Sequence, residues 1–145
     1  GLEHRLEEVK TVNGVTYFDD SFSTTPETTI AAIKSFTEPL ILIAGGSEKG
    51  SDFTQLGKVI SQAKNIKAVI LIGLMAERIK EAITNKEMKT LRGAKNMTEI
   101  MEQVRSVAKS GDVVVLSPAA ASFDMFKNYK DRGEQFKKCV TELAK

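Results

Sequence analysis

Three uninterrupted apolar runs limit what this chain can fold into. Residues 39–44 read Pro-Leu-Ile-Leu-Ile-Ala and stop at Gly45-Gly46. Residues 68–72 are Ala-Val-Ile-Leu-Ile before Gly73, and residues 112–116 are Asp-Val-Val-Val-Leu before Ser117-Pro118. None alternates with polar residues, so as strands they need cover on both faces, as in the interior of a parallel sheet. Residues 14–20 add a turn glycine followed by Val-Thr-Tyr-Phe, a first strand, and residues 89–92 add a short, weaker one. Segments with helical spacing lie between. Residues 26–36 begin with Thr25 as cap and Pro26 at the first helical position. Residues 53–63 carry Phe53, Leu56, Val59, Ile60 and Ala63 on one stripe. Residues 74–83 and 98–108 behave alike, the second with Thr98 as its expected cap. The last helix is expected from Lys130 or Gly133 to Leu143. Strand and helix in alternation give an α/β class: a Rossmann-like, doubly wound, mostly parallel sheet of about five or six strands with helices on both faces.

Length and charge narrow the function classes. At 145 residues, 41% of them apolar and 28% charged, the chain fits one ordinary domain with its own core. A net charge of +2 gives no reason to expect charge-driven binding to nucleic acid or to a membrane. No run approaches the roughly 18 apolar residues of a membrane span, and the start has no signal-peptide pattern. The single Cys139 cannot form an internal disulfide, which fits a reducing cytoplasm. A start at Gly-Leu-Glu-His rather than Met reads as a piece excised from a larger protein.

Ligands of open α/β sheets gather outside the carboxyl ends of the strands. Those ends are Asp19-Asp20-Ser21, Gly45-Gly46-Ser47-Glu48-Lys49, Gly73-Leu74 and Ser117-Pro118. The glycine loop lets backbone amides approach an anion, but no Gly-Lys-Thr/Ser follows, so it is not a Walker A loop. It is either a turn with a solvated lysine or a lysine aimed at a carboxylate or phosphate. Only one of Asp19 and Asp20 can face the ligand edge, because neighbouring strand side chains point opposite ways. The Ser23-Thr24-Thr25 hydroxyls either cap a helix or bind. Ser122 lies in a run of small residues, where a tight backbone or a carboxylate-holding loop are both readable. Arg132 is open to a surface ion pair. His4, the single histidine, reads more readily as structural than catalytic, and no Cys/His set has metal-ligand spacing.

In order along the chain stand His4-Arg5, Asp19-Asp20-Ser21 with Thr24 and Pro26, and Ile43-Ala44-Gly45-Gly46 with Lys49 and Asp52-Phe53. Leu116-Ser117-Pro118-Ala119 follows, then Ser122-Phe123-Asp124, Phe126-Lys127-Asn128-Tyr129 and Arg132-Gly133-Glu134-Gln135-Phe136. This set resembles the C-terminal domain of the Mur ligases, in their D-glutamate-adding branch, over nearly the whole chain. The Ser-Pro-Ala and Phe-Lys-Asn stretches with Arg-Gly-x-x-Phe are its specific part.

The resemblance implies ATP-dependent amide synthesis. UDP-N-acetylmuramoyl-L-alanine is activated as an acyl phosphate and attacked by the amine of D-glutamate, with ATP and Mg2+ held mainly by a central domain not in this sequence. The N-terminal and central domains become partners, and this domain alone is expected to turn over little or nothing. By position, Lys49 and Thr24 would hold the side-chain carboxylate of D-glutamate. Ser122, Phe123 through its backbone, and Tyr129 would hold the α-carboxylate. Arg5 and Asp20 would lie on the ATP side, the aspartate toward the ribose. No residue here is assigned to bond making or to a metal. Phe22 and Thr25 stand where the family usually has lysine and asparagine, and Ala120 where cysteine is common. The remaining readings are a sister Mur or folylpolyglutamate-type ligase and a stand-alone α/β ligand-binding module.

Overall fold

The computed structural model describes residues 2–47 and 50–143. Six strands, β1 (Glu7–Val12), β2 (Val15–Asp19), β3 (Leu40–Gly45), β4 (Ile66–Ile72), β5 (Thr90–Leu91) and β6 (Val113–Leu116), form one sheet in the order β1-β2-β6-β3-β4-β5. β1 is antiparallel to β2, and every other pairing is parallel. Five helices complete the described chain: α1 (Pro26–Lys34), α2 (Thr54–Gln62), α3 (Ala76–Ala82), α4 (Met97–Val107) and α5 (Tyr129–Leu143).

The apolar runs are buried on both faces because successive side chains serve different cores. Leu40, Leu42 and Ala44 of β3 pack with Leu56 and Ile60 of α2 and Ile79 of α3. Ile41 and Ile43 point the other way, toward Ile100 and Val104 of α4 and Phe136 and Val140 of α5. The predicted doubly wound α/β sheet is therefore what forms.

Boundaries move at several points. β1 escaped the sequence reading: Glu-Glu-Val-Lys-Thr-Val is a charged edge strand with most of its residues in contact with solvent. Asn13 and Gly14, both at positive φ (52° and 80°), make the two-residue hairpin turn that joins it to β2. Helix α4 is capped by Asn96, not by Thr98. The Asn96 side chain accepts from the Glu99 amide at 2.9 Å, and Glu99 reaches back to the Lys95 amide at 2.9 Å. Helix α5 starts at Tyr129, earlier than expected, because the Asn128 side chain accepts from the Asp131 amide at 2.8 Å. Helices α2 and α3 start at Thr54 and Ala76, behind Phe53 and Met75. The Thr25 cap and the Pro26 start hold as predicted.

Candidate functional site

The carboxyl ends of β2, β3 and β6 meet, and their loops are tied together by buried polar groups. Asp19 and Asp20 diverge as strand geometry requires. Asp20 Oδ1 accepts from the Leu6 amide at 3.0 Å; Oδ2 accepts from the hydroxyls of Ser23 (2.5 Å) and Ser117 (2.7 Å). The Ala119 amide donates to the Ser23 carbonyl at 3.0 Å, laying the loop after β6 on the loop after β2. Burial pushes the Asp20 carboxyl above the usual range, and the Ser117 and Ser23 hydroxyls and the Leu6 amide partly offset this.

The loop after β3 joins the same structure. Gly45 donates to the Pro118 carbonyl and Ser47 to the Ala121 carbonyl, both at 2.8 Å. At Gly46, with φ +149°, a Cβ would stand 2.0 Å from the Ala121 carbonyl oxygen, so only glycine allows this approach. Lys49, the lysine assigned to the D-glutamate side chain, lies outside the described residues.

Arg132 corrects the surface reading. Its side chain is fully buried. Nε donates to Ser21 Oγ at 2.9 Å, one terminal nitrogen to the Ser21 carbonyl at 2.9 Å, and the other to the Ala120 carbonyl at 3.1 Å. Burial lowers its pKa to about 10, against the pull of Asp124 and Asp19, which leaves it protonated at neutral pH. One guanidinium thus fastens the loops after β2 and β6 to α5.

His4 is buried behind this junction. Nδ1 lies 2.6 Å from Asp19 Oδ2, and Nε2 lies 3.2 Å from Glu134. Gly133 makes room for the pair: a Cβ there would stand 2.3 Å from His4 Nδ1 and 2.8 Å from Asp19 Oδ2. His4 gathers two sets of candidate ligand atoms, with Glu3 and Glu134 and with Glu7 and Asp19, that sequence spacing did not reveal. Lys137 sits on Glu3 (3.4 Å) and Glu7 (3.0 Å) and competes for these carboxylates.

Between α1 and the loops after β2 and β6 opens a cleft of 590 Å³. Of the sequence-predicted residues, Thr24, Ser122, Phe123, Tyr129, Arg5 and Asp20 all line it. Ser122 is 2% exposed, and its carbonyl accepts from the Phe126 amide at 2.8 Å. Phe123 is 69% exposed at the rim. Tyr129 starts α5, and its carbonyl accepts from Ser21 Oγ at 2.7 Å. Phe22 also lines the cleft, as do Asn128, the α1 positions Thr28, Ala31 and Ala32, and Ser35 at the helix C-cap. The sequence reading gave these α1 residues no role, although their i, i+3, i+4, i+7 spacing marks one helix face. The stripe is small and polar, so it lacks the apolar signal that exposes a core face.

ATP and Mg2+, which the resemblance implies, find an uneven fit. Arg5 is the single cation lining the cleft among the described residues, and a guanidinium suits a phosphate. Magnesium needs several oxygens in octahedral array. Asp20, the cleft's one described carboxylate, already accepts three hydrogen bonds within the loops. The described residues of the cleft do not form a magnesium site.

The model of the family described as Mur ligase, glutamate ligase domain matches residues 4–120. The chain belongs to this family. It is 46% identical over 148 residues to a UDP-N-acetylmuramoylalanine–D-glutamate ligase of Pseudomonas fluorescens, 42% over 144 residues to that of Clostridioides difficile, and 39% over 151 residues to that of Ruminiclostridium cellulolyticum. Each match covers 99% of this chain but 31–32% of the relative, so the chain spans about a third of their length. Two solved Mur ligase structures share the fold at lower identity. A domain of a UDP-N-acetylmuramate:L-alanyl-gamma-D-glutamyl-diaminopimelate ligase from Haemophilus ducreyi has a TM-score of 0.66 at 19% identity, over 97% of this chain and 100% of that one. The UDP-N-acetylmuramate-alanine ligase of Thermotoga maritima has a TM-score of 0.65 at 12% identity, over 98% of this chain and 31% of that one. No helix among the described residues is long and apolar enough to cross a membrane.

Proposed function

We propose that this Mur ligase domain is the amino-acid-binding C-terminal part of a longer cytoplasmic enzyme. That enzyme joins D-glutamate to UDP-N-acetylmuramoyl-L-alanine at the expense of ATP, in peptidoglycan precursor synthesis. The observation that carries the reading is the cleft at the strand ends, where Thr24 from the loop after β2, Ser122 and Phe123 from the loop after β6, and Tyr129 from the start of α5 converge beside Arg5. A dianionic amino acid needs a cation and neutral donors at two separated points. Thr24 with Lys49 would meet the side-chain carboxylate. The Ser122 hydroxyl and the Phe123 amide, with Tyr129 as a wall, would meet the α-carboxylate. Holding the amine against an acyl phosphate is chiefly positioning, and closure against the central domain would keep water from that intermediate. Asp20 would act by fixing the loops as much as by meeting a ribose, since its oxygens are largely engaged. Phosphoryl activation and Mg2+ fall to the central domain, so the separate domain would make no product.

The test is amide synthesis by the full-length protein with UDP-N-acetylmuramoyl-L-alanine and ATP, comparing D-glutamate with L-glutamate, L-lysine and D-aspartate. D-glutamate alone should be used. Lys49→Ala should lower kcat/KM for it by about ten- to a hundred-fold, the loss of a charge-assisted contact. Turnover of another amino acid would keep the ligase and move its specificity; no turnover with any would sink the reading.

A further inference from the structure

We propose that Phe22 is a positioning residue that holds Arg5 at the mouth of the cleft for a phosphate-bearing ligand; the proposal rests on the ATP-dependent reading above. The two segments are joined on both sides of Arg5, once backbone to backbone and once backbone to side chain. The Phe22 amide donates to the His4 carbonyl at 2.9 Å, and the Leu6 amide donates to Asp20 Oδ1 at 3.0 Å. The Arg5 guanidinium carbon lies 5.2 Å from the Phe22 ring centroid, within cation–π range. The Phe22 ring is braced in turn by Tyr129, edge to face at 5.0 Å and 69°. Asp20 feels the Arg5 charge, but no carboxylate of the described residues comes within salt-bridge distance of Arg5.

The choice of partner matters. A carboxylate would hold the arginine by occupying its N–H donors and cancelling its charge. An aromatic face attracts the guanidinium through the ring quadrupole and leaves the planar fork of donors free. Phe22 is itself 44% exposed on the cleft, an unusual place for a phenylalanine whose role is core packing. Arg5 is thereby held in place with its fork of donors open to the cleft, which suits an anion that arrives and leaves at each turnover.

The measurement is calorimetric affinity for Mg·ATP in the full-length protein, over wild type, Phe22→Leu, Phe22→Tyr, Arg5→Ala and the Phe22→Leu/Arg5→Ala double variant, each checked for an intact thermal transition. Phe22→Leu should weaken ATP binding by about two- to five-fold, the range of an exposed cation–π contact. Phe22→Tyr should restore it. The leucine change should cost nothing further once Arg5 is alanine, and in steady-state kinetics the loss should fall on KM for ATP rather than for D-glutamate. An unchanged affinity in Phe22→Leu, a loss that persists without Arg5, or a loss confined to D-glutamate would overturn the proposal. Wild type that binds ATP but makes no amide with D-glutamate would overturn only the assigned reaction, because the binding cycle still reads the Phe22–Arg5 coupling.

Discussion

On the α5 side of the sheet, Asp19 meets one histidine ring and the Ser21 amide, in a gap that exists because Gly133 has no side chain. On the cleft side, Asp20 meets two hydroxyls and a backbone amide, with no cation in contact. Burial raises both carboxyls above their usual range, Asp19 against the pull of His4 and Ser21, and Asp20 against that of Ser117, Ser23 and Leu6. The α5 side ties the end of β2 to the helix through His4, which meets Asp19 on one ring nitrogen and Glu134 of α5 on the other. The cleft side spreads its charge over donors from three segments, which fixes loops without filling the cleft. The last residue of β2 and the one that follows it thus divide anchoring from site-building, and Arg132 spans the two.

Removing that span should have the largest effect. Arg132→Met keeps the apolar stem but strands the Ser21 and Ala120 carbonyls. It should lower stability by about 3 kcal/mol or more, read from urea unfolding, because buried polar groups lose their partners. Both sides should loosen together, so wild-type stability in this variant would show them to be independent. Gly133→Ala strikes only the α5 side. A methyl within 2.3 Å of His4 Nδ1 should displace the ring, at about 1–3 kcal/mol. Loss of D-glutamate affinity in that variant, beyond what its stability explains, would mean that the anchoring side reaches the cleft.

The smallest effect is electrostatic. Because folding raises both aspartate pKa values, the folded chain holds more protons than the unfolded one from about pH 4 up to the raised values. These two groups therefore make stability fall as pH rises through that window, opposite to a carboxylate such as Glu7, which the His4 amide and Lys137 hold below its usual range. Asp19→Asn and Asp20→Asn should each remove a share of the fall, seen as a pH-dependent difference in urea midpoint from wild type. A variant that parallels wild type at every pH would show that its aspartate has an ordinary pKa.

What the sequence made legible follows the same division. The sheet interior could be read because burial on both faces leaves an unbroken apolar run, and Leu40 through Ala44 need no knowledge of their partners to declare it. The cleft residues Thr24, Ser122, Phe123 and Tyr129 were legible through family resemblance, not through spacing. Arg132 was not. Its acceptors are a serine and two backbone carbonyls, and Ser21 lies 111 positions away, so no local pattern announces its burial. β1 stayed hidden because an edge strand with charged residues looks like a loop. Asn96 does carry a signal, an asparagine three residues before Glu99, but Thr98 offers a competing cap two positions on.

The strand order has a consequence for how the chain assembles. β6 lies between β2 and β3, so these two strands, consecutive in the sequence, are not neighbours in the sheet, and its middle stays vacant until Leu116 has been made. A chain emerging from the ribosome can close the β1–β2 hairpin and pair β3 with β4, but these are two half-sheets with open edges. The late strand is the seam that turns them into one domain. Pairing across long sequence separations is slow and leaves apolar edges exposed while it is pending. Substitutions in the four residues of β6 should therefore show first in the yield of folded protein during synthesis, before they show in the behaviour of molecules that have already folded.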